Sequence, residues 1–174
     1  YAESSVTYFR KDLFKAAGIV MPDNPSYLDI QRLAAKVHNP DEGIYGICLR
    51  GKPGWGANIA LISTMVNSFG GSWFDQQWNP TINSMAWRQA LNLYKDLQLN
   101  LGPPNPSEQD YNQILQQFSD GHCGIWIDAT SFAEALHNPE RSRVFDAVGM
   151  RPAPIAKTSR GSSWLWVWGL AIPS

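Results

Sequence analysis

An arginine, a carboxylate and a set of tryptophans carry most of the chemistry this sequence can offer. Arg50 ends an apolar run, YGICL, and enters the glycine-rich loop GKPGWG. Its planar fork suits hydroxyls or a carboxylate; a surface ion pair is the plainer use. Trp55 lies between Gly54 and Gly56. Little local structure is there to bury it, so it is expected at an exposed, ligand-facing position. Asp128 ends the run CGIWID. It can accept two hydrogen bonds from vicinal hydroxyls or cap the helix that follows, and the two roles are compatible. Trp126 shares its strand face, since side chains alternate across a strand. Trp164 and Trp166, in WLWVWGLAIP, are placed between sheet core and ligand platform, whereas Trp168 and Trp87 are assigned to core.

Other chemistries are excluded or weak. GKPGWG lacks the Lys-Ser/Thr of a phosphate loop, and no G-x-S-x-G or H-E-x-x-H occurs. The three histidines, His38, His122 and His137, fall in turns or at helix ends, so neither metal nor cofactor is expected. Asp75 and Asp128 as a glycosidase pair would need a separation that sequence does not fix. Net charge is −1 without a basic run, which argues against nucleic acid. The eight tryptophans demand either a large core or a surface that uses flat rings, and such rings suit the C–H faces of sugars and polyols. Cys48 and Cys123 are expected to be free buried thiols, because a disulfide requires their strands to be close.

The elements that must position these groups follow from periodicity and turn chemistry. A β-rich run at 6–9 precedes a short helix at 11–17, closed by Gly18. Ser26 with Asp29 three residues on resembles a capping box for a helix reaching Val37. A strand at 45–49, the glycine loop and a helix at 57–69 come next; Gly70-Gly71 ends that helix. Trp73 and Phe74 are expected to pack against its end. Trp87, Ala90, Leu91, Tyr94 and Leu97 stripe a helix that Ser84 opens. A helix capped by Ser107 spans 108–119, with Tyr111 inward. A strand at 123–128, a helix at 129–136, a strand at 144–150, a polar turn at 157–163 and a strand at 164–172 complete the order. The expected fold is one α/β unit over residues 1–174, with a mostly parallel sheet and helices on both faces.

The ordered set YFRKDLFKAAGI, YGICLRGKPGWG, FGGSWFD, NPTINS followed by W-x-x-A-L-x-x-Y-K-D-L, then F-x-x-G-x-x-G-I-W-I-D and WLWVWGLAIP resembles the extracellular solute-binding proteins of sugar ABC transporters. That class includes maltose-binding proteins, and the LRGKPGWG, GIWIDAT and WLWVWGLAIPS segments look like its mannitol/sorbitol-binding branch. Ser26-Tyr27 replaces the family's usual Thr-Trp, a conservative change. Members are roughly twice this length or more, so the chain is expected to be a fragment corresponding to the second, C-terminal lobe of a two-lobe (type II, Venus-flytrap) fold.

The resemblance implies a non-enzymatic, monomeric component. It would bind a polyol or sugar in the periplasm, or outside the cell on a lipid anchor, and deliver it to a membrane permease. Arg50, Trp55, Asp128, Trp164, Trp126 and Trp166 are the candidate contacts. The alternative is a carbohydrate-active, glycoside-hydrolase-like domain.

Overall fold

The computed structural model describes residues 2–158 and 164–172. Five strands form one sheet: β1 (Ala2–Arg10), β2 (Tyr45–Cys48), β3 (Cys123–Ala129), β4 (Val148–Pro152) and β5 (Leu165–Val167). The order is β2-β3-β1-β4, with β5 pairing the first residues of β1. β1 runs antiparallel to β3, β4 and β5, while β2 and β3 pair in parallel. Four strands therefore point one way, but the ladders are mostly antiparallel, because the single reversed strand lies among the others. A mostly parallel sheet thus holds for strand direction and not for pairing. The polar turn expected at 157–163 falls outside the described residues from 159 onward.

Strand alternation separates two cores. Phe9, Ile47, Ile125 and Ile127 enter one, together with Ile30, Leu33 and Ala34 of helix α2 (Tyr27–Val37), Leu61 and Met65 of α3 (Asn58–Ser68), and Trp87, Ala90 and Leu97 of α4 (Met85–Leu101). Tyr8, Cys48 and Trp126 enter the other, with Ile114 and Phe118 of α5 (Tyr111–Ser119) and Leu136 of the short helix Ala133–His137. A period of two in the strands thus meets a period near 3.6 in the helices, and helices cover both faces.

Local signals set the helix ends. Ser26 accepts from the Asp29 amide, and Asp29 accepts in return from the Ser26 amide, so the expected capping box is present. α3 ends at Ser68, and Gly70, two residues on, has a φ of +83°, a conformation glycine adopts without penalty. Two starts differ from expectation. Ser84 precedes α4 but its side chain makes no capping bond. The helix expected from 108 begins at Tyr111, capped reciprocally by Asp110 and Gln113, with a single 3-10 turn (Pro106–Glu108) before it. β4 likewise starts four residues later than read, and β5 is short.

The expectation of free thiols is overturned. Cys48 and Cys123 form a disulfide, with Cα atoms 5.9 Å apart. Adjacent pairing of β2 and β3 supplies the closeness that sequence left open.

Candidate functional site

The loop after β2 is held from below before it presents anything. Tyr94 Oη of α4 donates to the Arg50 carbonyl at 2.6 Å, and Gln98 Nε2 donates to the Leu49 carbonyl at 3.2 Å. The amides of Gly51 and Lys52 both donate to the Gln109 carbonyl. A Cβ at Gly51 would collide with the Pro106 carbonyl, so glycine is what lets the loop lie against the α4–α5 connection. Burial of Tyr94 raises its phenol pKa, keeping it a hydrogen-bond donor.

So anchored, Arg50 points its guanidinium at a buried carboxylate. Its Nε donates to Asp128 Oδ2 at 2.8 Å, and its Nη2 donates to Asp128 Oδ1. Nη1 donates to the Gly56 carbonyl at 2.7 Å, closing the glycine loop onto the same side chain. The guanidinium carbon lies 5.0 Å from the ring centre of Tyr111 and 5.5 Å from that of Trp164, within range of cation–π attraction to each. Burial opposes the charge, but the hydrogen bond and charge of Asp128 outweigh it and raise the Arg50 pKa.

An open cleft of about 820 Å³ lies in front of this pair. Trp55 and Trp166 stack in it, with ring centres 5.1 Å apart and 26° between planes, and Trp168 meets Trp166 edge-on. Trp55 is 74% exposed. Ser63, Thr64 and Asn67 of α3 add hydroxyl and amide groups. Lys52 and Asp110 form an ion pair of 3.4 Å at its edge. Flat apolar rings beside hydrogen-bonding groups suit a ligand that has both C–H and hydroxyl faces.

The six sequence candidates divide four to two. Arg50, Trp55, Trp164 and Trp166 line this cleft. Asp128 and Trp126 do not; both are fully buried. Trp126 stacks on Phe132 at 4.9 Å inside the second core, and its indole N–H donates to Asp128 at 3.0 Å. It faces the same way as Asp128, as alternation requires, but that direction leads into core. Asp128 meets the Ala129 amide at 2.7 Å, a local bond that caps no helix.

Other expectations shift as well. Trp168, read as core, is 64% exposed and lines the cleft. Trp87 is buried, with its indole N–H on the Ser72 carbonyl. Trp73 packs edge-on against Trp87 yet remains half-exposed, as does Phe74. Asp75 is tied up by the amides of Gln77 and Asn79 within its own exposed loop, away from the cleft. The imidazoles of His38, His122 and His137 each bond to a nearby backbone group. Sequence reading missed Tyr111, whose ring reaches the cleft because it begins α5. The Asp110-x-x-Gln113 capping box was the signal that could have placed it.

The chain belongs to the bacterial extracellular solute-binding protein family, which matches residues 1–174. It is 45% identical, over its whole length, to the mannitol-binding protein of Pseudomonas aeruginosa, and covers 40% of that protein. An ABC transporter solute-binding protein from Agrobacterium vitis S4, solved with bound D-mannitol, is 46% identical and superimposes with a TM-score of 0.93 over 95% of this chain and 40% of that one. A second, from Agrobacterium radiobacter K84 in complex with ribitol, is 29% identical with a TM-score of 0.87, over 98% of this chain and 42% of that one. The chain thus spans about 40% of the length of these relatives. Its fold is the type II periplasmic-binding-protein architecture.

Proposed function

We propose that these 174 residues form one lobe of a two-lobe polyol-binding protein that serves an ABC importer. The observation that carries this is the cleft wall itself. A guanidinium within cation–π range of both Tyr111 and Trp164 stands beside the stacked Trp55 and Trp166. A linear polyol offers alternating C–H and O–H groups to such a wall: rings cover the former, and guanidinium, hydroxyl and amide groups meet the latter. Relatives described as binding mannitol and ribitol support the ligand class. The rest of the protein would supply the facing wall, and closure over the ligand would present it to a membrane permease. A buried disulfide fits the oxidising conditions outside the cytoplasm, and so supports a periplasmic or anchored extracellular location.

Calorimetric titration of the full-length protein with D-mannitol, ribitol, D-glucose, maltose and a set of amino acids tests the reading. Saturable binding is expected for a polyol and weaker or no binding for the others. A protein that binds an amino acid or oligosaccharide and no polyol contradicts it. Turnover of a labelled glycoside would revive the carbohydrate-active alternative.

A further inference from the structure

Resting on the polyol reading, we infer that Asp128, without touching ligand, sets the charge preference of the cleft: with Asp110 matching Lys52 at the edge, it makes the site accept neutral polyols and reject sugar acids. Asp128 has no spare capacity for a ligand. Its carboxylate accepts from Arg50 Nε and Nη2, Trp126 Nε1 and the Ala129 amide. A carboxylate offers about four lone-pair sites, so the group is saturated as well as buried.

What Asp128 changes is how Arg50 looks from the cleft. Three of the five N–H donors of an arginine are engaged here, on Asp128 and the Gly56 carbonyl. The other two have no protein partner among the described residues, on a side chain that lines the cleft. A polyol hydroxyl needs only such a directed donor. A ligand carboxylate gains most from a net positive charge, and that charge is matched at contact distance by Asp128. The other lining cation, Lys52, is matched by Asp110. The two cations of the lining are thus each matched by a carboxylate, so neither offers a ligand acid an unbalanced positive charge. The cleft keeps the geometry of an arginine while cancelling its charge.

The test compares D-mannitol with D-mannonate, the six-carbon acid of the same configuration, by calorimetry on the full-length protein. The unsubstituted protein is expected to favour mannitol. Asp128→Asn keeps the shape of the carboxyl group and removes its charge. It should move the mannitol-to-mannonate affinity ratio toward mannonate by roughly tenfold or more, about 1.4 kcal/mol. Asp110→Asn, which keeps a capping side chain for α5 and leaves Lys52 without its counter-charge, should move the ratio the same way by a smaller factor. A purely structural role for Asp128 would weaken both ligands alike and leave the ratio unchanged, which overturns the inference. If Asp128→Asn does not fold, an unchanged ratio in Asp110→Asn overturns it instead. If ribitol binds and mannitol does not, ribitol and D-ribonate take their place in the comparison; absence of binding to either polyol overturns the polyol reading and this inference together, and polyol binding with unshifted ratios overturns this inference alone.

Discussion

Asp128, fully buried at the end of β3, holds Arg50 of the β2–α3 loop through both carboxylate oxygens. The pair ties the sheet to the cleft wall, so each residue should be costly to remove alone. Arg50→Met leaves a buried carboxylate without its counter-charge and is expected to destabilise by about 3–5 kcal/mol. The double change Arg50→Met with Asp128→Leu should recover most of that stability while ligand binding stays weak. Urea unfolding of the two variants checks this; equal stabilities would show that the unpaired carboxylate carries no penalty.

Trp55 and Trp126 should fail in opposite ways. Trp55 is largely exposed on the cleft wall, so Trp55→Ala should change stability by no more than about 0.5 kcal/mol. Its polyol affinity should fall roughly tenfold or more, as for a buried anchor of an interface. Trp126 is buried among Tyr8, Phe118 and Phe132. Trp126→Ala should cost about 3–5 kcal/mol of stability through the cavity it leaves. Thermal melts and titrations on both variants separate the roles, and an unaffected affinity in Trp55→Ala would remove it from the site.

This contrast shows where sequence stops being informative. Alternation put Trp126 and Asp128 on one face of their strand, correctly. It could not say whether that face met solvent or α5, because that depends on which helix crosses back over it. Trp55 was legible because its neighbours are glycines, with nothing local to bury a ring. The helix Tyr27–Val37 was legible to its last residue, since the capping box and apolar stripe are local signals. The reversed direction of β1 and the Cys48–Cys123 bond were not, as both are set by which strands become neighbours. Tyr111 was misplaced by a helix start read three residues early, which turned a cleft ring into an expected core ring.

The disulfide closes a loop spanning 75 positions between buried cysteines. Restricting a loop of that length in the unfolded chain is worth about 4 kcal/mol in the chain-entropy view. The double variant Cys48→Ala, Cys123→Ala should therefore lose about 2–5 kcal/mol in equilibrium unfolding. The unsubstituted protein should melt lower under reducing conditions, and the variant should not respond to reductant. Equal melting of the unsubstituted protein with and without reductant would contradict this.

Asp29 gives the fold a defined acid sensitivity. Hydrogen bonds from the Ser26 side chain and amide hold its carboxyl below the ordinary 3.8. A carboxylate whose pKa is depressed on folding stabilises fully above its unfolded value, and the contribution is lost as pH falls through the folded one. Asp29→Ala should cost about 1 kcal/mol near neutral pH through loss of the cap. The difference from the unsubstituted protein should shrink as pH drops below 3.8. Unfolding midpoints across pH 7 to about 2 measure it; a gap that widens in acid would have the wrong sign.

A crystal structure of the full-length protein with D-mannitol tests the central claim most directly. A hydroxyl is expected within hydrogen-bond distance of the Arg50 guanidinium, with the carbon chain lying over Trp55 or Trp166 and Asp128 still bonded to Arg50 without touching the ligand. A ligand seated elsewhere, or one bonded to Asp128 in place of Arg50, would contradict it.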